Sequence, residues 1–180
     1  MNKDVEILLS EKKHNFDSLV RIMALLRSEN GCPWDREQTH ESIRNNFIEE
    51  TYEVIEAIDT SDTKLLREEL GDVLLQVVMH AQMEREEGRC TFSDVVNDIC
   101  HKMIHRHPHV FGDVKAGSVG EVLAIWESIK SEEICSAALK SGIKLIKTEK
   151  EGTVRLCFAG ISEQKIPAAA EKLSSLLKEL

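Results

Sequence analysis

Between Thr39 and Gly88 the sequence keeps a helical period with a single interruption, Thr60-Ser61-Asp62. Before the break Ile43, Phe47, Val54 and Ile58 recur on one face; after it Leu65, Leu66, Leu70, Val73, Leu74, Val77 and Val78 do so. A connection this short between two long helices folds back as an antiparallel hairpin. Residues equally far from the turn then lie side by side. Thr39-His40-Glu41-Ser42 is predicted to open the first of these helices, which runs to about Asp59. The second starts near Thr63, leaves through the polar run from Met83, and ends on Gly88 as a C-terminal cap.

The hairpin carries two acidic motifs, Glu49-Glu50-Thr51-Tyr52-Glu53 and Glu69-Leu70-Gly71-Asp72. The outer carboxylates of each are three or four residues apart and so share a helix face. Glu50 and Glu53, like Glu69 and Asp72, are about 60° apart around their helices. Like charges stacked in this way repel unless a cation sits between them. The bland reading is a pair of solvated acidic faces, eased by Lys64 and Arg67. The sharper one is an oxygen site for Mg²⁺, with Mn²⁺ as a substitute, and Mg²⁺ usually arrives with a phosphate-bearing ligand. Glu49, one residue out of line, is placed to orient or deprotonate a water.

Elsewhere the periodicity also favours helices. Phe16, Leu19, Val20, Met23 and Leu26 mark one over residues 16–27, stopped by Ser28-Glu29-Asn30-Gly31-Cys32-Pro33. A fourth, capped by Thr91 or Ser93, carries Val95, Val96, Ile99 and Met103 and stops before Pro108. A fifth surrounds Trp126. The expected fold class is therefore all-α: a bundle of about five helices over residues 16–133, preceded by an N-terminal extension, 1–15. Residues 134–180 read as a small ββα appendage, with strands over Ile143–Thr148 and Thr153–Phe158 and a helix from Gly160 to Leu180.

Composition narrows the function. A net charge of −9 on 180 residues argues against nucleic-acid polymers and anionic membranes as partners. The five scattered cysteines form no Cys-x-x-Cys pair, so a reducing cytoplasm is expected. No segment reaches membrane-spanning length. Walker, Gly-x-Ser-x-Gly and dinucleotide-binding fingerprints are absent. In the basic segment Cys100–His109, His101 and His105 share a face, but no His-Glu-x-x-His or second ligand set supports zinc. Lys102 and Arg106, four residues apart, suit phosphate oxygens; an ordinary basic helix end is the alternative. Trp34 and Trp126 either stack on a base or cover the core. Cys32 has no neighbouring base and reads as structural.

Taken in order, these stretches resemble the MazG-type all-α nucleoside triphosphate pyrophosphohydrolases. The likeness lies in Gly31-Cys32-Pro33-Trp34-Asp35 with Gln38-Thr39-His40, the two acidic motifs, and Gln76-Val77-Val78-Met79-His80-Ala81. It continues in Arg106-His107-Pro108-His109-Val110-Phe111 and Trp126-Glu127-Ser128-Ile129-Lys130. The resemblance implies Mg²⁺ held by Glu50, Glu53, Glu69 and Asp72, a helical homodimer, and cleavage between the α- and β-phosphates of a nucleoside triphosphate. On this basis Lys102 and Arg106 would neutralise the triphosphate, Trp126 would contact the nucleotide, and nucleotide-pool house-cleaning would be the role. After about Glu133 the pattern departs, and Gly152–Ala159 looks like the C-terminal end of a fold-type-I pyridoxal-phosphate aminotransferase, with Arg155 at its carboxylate-gripping position. The rival expectation is a non-catalytic helical dimer that binds nucleotide or protein and uses the acids as a regulatory metal site.

Overall fold

The computed structural model describes residues 3–140, 144–147 and 154–157. They form α1 (Lys3–Ser10), α2 (Phe16–Leu26), α3 (Pro33–Glu37), α4 (Arg44–Asp59), α5 (Thr63–Glu86), α6 (Phe92–Arg106), α7 (Pro108–Phe111) and α8 (Val119–Lys140). Two short strands, β1 (Lys144–Lys147) and β2 (Val154–Cys157), pair antiparallel with Lys144 opposite Cys157. The chain divides into two compact units, residues 1–99 and 100–180.

In the first unit, helix ends follow local chemistry. Asn15 and Ser18 form a reciprocal capping box at the start of α2. Between α4 and α5, the Asp62 N–H donates to the Ala57 carbonyl and the Ser61 N–H to that of Ile58, while the Asp62 carboxylate caps Lys64 and Leu65. This is a Schellman turn with Ser61 at the left-handed position, φ 55°. Gly88 fills the same position at the end of α5, φ 69°, with the Arg89 N–H returning to the Glu84 carbonyl. Gly31 answers a different need: a Cβ there would lie 2.2 Å from the carbonyl oxygens of Leu25 and Leu26.

The core of this unit gathers on the C-terminal half of α5. Met23 of α2, Ile43 before α4, and Val78, Met79 and Met83 of α5 are buried together, with Leu19, Val20, Leu74, Leu75 and Phe92 packed against them. Arg27 ties the loop after α2 to this end, pairing through Nε and Nη2 with Glu86 and donating through Nη1 to the carbonyls of Asp35 and Gln38.

Several expectations need correction. The five long helices are α2, α4, α5, α6 and α8; three short ones join them, α1 within the N-terminal extension and α3 within the stretch read as a loop. Pro33 explains α3, because its fixed φ suits the first turn of a helix. The helix expected from Thr39 begins at Arg44; Thr39 and Ser42 instead close a turn through reciprocal side-chain–backbone bonds. Ile58 is exposed, and Ala57 is the buried residue of that turn of α4. Met83, read as part of a polar exit, belongs to the core. Thr91, not Ser93, caps α6. The helix expected after Gly160 lies outside the described residues, so the ββα appendage is not established as a unit.

Candidate functional site

The short turn at Ser61 sets the register of the hairpin. Glu50 of α4 comes opposite Glu69 and Asp72 of α5, and carboxylate oxygens of all three lie within 4.8 Å of one another. Glu69 is buried, 7% exposed, whereas Glu50 and Asp72 are half-buried. Burial raises the pKa of Glu50 above the ordinary carboxylate range, and the charges of Asp72, Glu53 and Glu49 add to it. Glu69 is raised in the same way, first by burial, then by a hydrogen bond and charge repulsion with Glu53, and by Asp72 and Glu68. Of the four expected ligands, three therefore converge. Glu53 is exposed but adjoins Glu69, and Glu49 is exposed beside Glu50.

An all-carboxylate oxygen set without histidine or cysteine suits a hard divalent cation. It is the one group of potential metal ligands of this kind among the described residues. His101 and His105 are exposed and contribute to no such group. Trp34 is also exposed, 58%, so it does not cover the core.

Farther along α5 is a second polar group that the sequence reading missed. His40 Nδ1 lies 2.6 Å from His80 Nδ1, and His40 Nε2 lies 2.8 Å from Glu84 Oε1. Glu84 also accepts two bonds from Arg89, which holds its carboxyl down to about 2. An ionised Glu84 accepts a hydrogen bond from His40 Nε2–H. The two Nδ1 atoms share one hydrogen bond, its direction set by the protonation and tautomers of the two rings. Burial, with the charge of His40 second, lowers the His80 pKa and favours its neutral ring. His80 and Glu84 share a face at four-residue spacing, but nothing local announces His40 as their partner.

In the second unit, Arg106 donates to Glu133 at 2.6 Å and lies 5.7 Å from the Trp126 ring centre; Lys130 Nζ lies 5.5 Å from the same ring. The Arg106 bond keeps the Glu133 carboxyl low. Trp126 Nε1 and His109 Nδ1 are buried without a partner among the described residues. Lys102 is exposed. Lys130 was legible as the residue four after Trp126; His109 carried no signal beyond its motif. Arg155 lies on β2, where the backbone alone is described.

Comparison with known proteins adds an independent line. Residues 38–111 match the family model described as MazG nucleotide pyrophosphohydrolase domain. The chain is 55% identical over 118 residues to a protein of Thermotoga maritima named nucleoside triphosphate pyrophosphohydrolase/pyrophosphatase MazG, covering 66% of this chain and 45% of that one. It is 51% identical over 131 residues to the nucleoside triphosphate pyrophosphohydrolase of Escherichia coli K12, covering 72% and 50%. In fold it is similar to the crystal structure of a mazG-related protein from Thermotoga maritima, with a TM-score of 0.53 and 29% identity over 64% of this chain and 98% of that one. The chain spans half the length or less of these curated relatives. No helix among the described residues is long and apolar enough to cross a membrane. The aminotransferase likeness of the tail finds no support in these matches, and much of Gly152–Ala159 lies outside the described residues. Over residues 38–111, which hold all the acidic positions of the hairpin, the chain matches the MazG nucleotide pyrophosphohydrolase domain.

Proposed function

We propose that the chain is a Mg²⁺-dependent nucleoside triphosphate pyrophosphohydrolase, converting a nucleoside triphosphate and water to a nucleoside monophosphate and pyrophosphate. The observation that carries this is the convergence of Glu50, Glu69 and Asp72 in a hairpin matched to that domain family. Burial, and after it the crowding of like charges, raises the pKa values of Glu50 and Glu69. Glu50, Glu69 and Asp72, with Glu53 beside them, would hold Mg²⁺ or Mn²⁺. When bound, such an ion screens phosphate charge and makes a coordinated water more acidic.

Glu49, exposed and one residue before Glu50, would orient the attacking water and take its proton. Lys102 and Arg106 as phosphate contacts, and Trp126 as a nucleotide contact, rest on the family resemblance. Within their own unit, the Arg106 guanidinium and Lys130 ammonium on the Trp126 ring keep cationic groups and an aromatic surface together. The homodimer is part of the same proposal. The exposed apolar residues of α4, Ile48, Tyr52, Ile55 and Ile58, are surface that a second copy would cover. Cytoplasmic nucleotide-pool cleaning is the corresponding role.

Pyrophosphate release from a mixed nucleotide pool, with and without Mg²⁺, tests the proposal. In ¹⁸O water the label should enter the monophosphate. A diphosphate product with label in orthophosphate would place attack at the γ-phosphate and reject it; no release under either condition would favour a binding protein.

A further inference from the structure

Beyond the acids, α5 carries a buried side-chain acceptor that no donor among the described residues meets. Gln76 is 7% exposed, and its Oε1 is buried with no hydrogen-bond partner among the described residues. A buried acceptor left without a donor destabilises a protein, and methionine or leucine would fill the space without that cost. The helical period puts Gln76 about 20° from Glu69 and about 40° from Asp72 around α5. It stands about 6 Å beyond Asp72 along the axis, and helical side chains of this length lean back over the preceding turn. The amide therefore continues the acidic stripe. One turn farther on the same stripe is His80, whose Nδ1 is bonded to His40 Nδ1.

In a nucleoside triphosphate the sugar begins one ester bond from the α-phosphate. If that phosphate is engaged at the carboxylate cluster, the nucleoside lies within a few ångströms, the separation of Gln76 from Asp72. Sugars and bases are rich in the O–H and N–H donors that an unpaired acceptor lacks.

We infer that Gln76 is a specificity-determining residue, its Oε1 accepting a hydrogen bond from a sugar hydroxyl or base N–H of the bound nucleotide. This rests on the pyrophosphohydrolase reading above. A site built to satisfy a buried polar group discriminates against ligands that leave it unpaired.

The experiment compares the wild-type chain with Gln76→Met and Gln76→Leu across the four ribonucleotides and their deoxy counterparts. For the best wild-type substrate, KM should rise about tenfold in both variants, and its preference over the poorest should shrink by about the same factor. The kcat, inhibition by inorganic pyrophosphate, and the Mg²⁺-induced rise in Tm should stay near wild type. Flattening between ribose and deoxyribose would identify a sugar hydroxyl; flattening among bases would identify a base N–H. Unchanged selectivity in an active variant would overturn the inference. Loss of the Mg²⁺ effect would assign Gln76 to the metal surroundings instead, and unfolding of both variants would assign it to the core. A wild-type chain that turns over no nucleotide fails the functional reading itself, a result distinct from variants that merely keep wild-type selectivity.

Discussion

The two halves of α5 face opposite electrostatic situations. Toward its C-terminus two acids are paired: Glu84 is held by Arg89 and His40, and Glu86 by Arg27 and Gln82. Toward its N-terminus Glu69 and Asp72 meet further carboxylates, Glu50 and Glu53, and two of these groups have raised pKa values. The packing divides the same way. The buried cluster centres on residues 78–83 of α5, while Leu70 and the facing Ile55 and Ile58 of α4 are exposed. One half is a finished structural joint. The other is a cluster of like charges, which the proposed function completes with a cation, as expected of a site in which local stability is given up for binding.

The comparison can be broken most severely at Asp72. Asp72→Asn removes a negative ligand and keeps the shape, so turnover should fall by at least about 100-fold. The metal-free variant should melt no lower than wild type, because like-charge repulsion is relieved. A lower metal-free Tm, or wild-type turnover, would show that the acidic half is structural after all.

The finished half should respond in the opposite way. Arg27→Met strips a guanidinium whose side chain is 7% exposed from Glu86 and two carbonyls. A loss of about 2–3 kcal/mol in denaturant unfolding is expected, with no change in Mg²⁺ affinity.

A smaller effect concerns pH. His80 has a folded pKa below its ordinary 6.5, so below that pH the unfolded chain takes up a proton the folded chain resists, and stability falls with acidification. Glu84, at about 2 against an ordinary 4.5, contributes stability that is present above 4.5 and lost as pH falls toward 2. Glu84→Gln should flatten the lower of these windows in pH-dependent melting and leave the upper one sloping. The smallest change sharpens the hinge between α4 and α5. Ser61→Gly should stabilise by about 0.5–1 kcal/mol, since glycine occupies the left-handed position without a Cβ penalty.

The acidic half was legible because its signal is local. Two spaced motifs and a three-residue break fix which carboxylates meet, and period alone carries the rest. The joint was less so. His40 pairs with His80 across forty residues of sequence, and Arg27 with Glu86 across fifty-nine. No spacing rule announces such contacts; they follow from the packing of α2 and the Thr39 turn against α5. Ile58 was misread for a related reason. Its period fits the apolar face, but near the turn of the hairpin no third helix among the described residues covers that face, and Ile58 is exposed. Gln76 was recognised as part of a motif, yet its unpaired oxygen is a property of burial and invisible in the sequence.

Mg²⁺-dependent melting of the metal-free chain decides whether the N-terminal half of α5 is a cation site. At a Mg²⁺ concentration near a hundred times Kd, wild type and Glu84→Gln should both gain about 2.7 kcal/mol of stability, and Asp72→Asn should gain almost none. An unchanged wild-type Tm, or an equal gain in Asp72→Asn, would contradict the account.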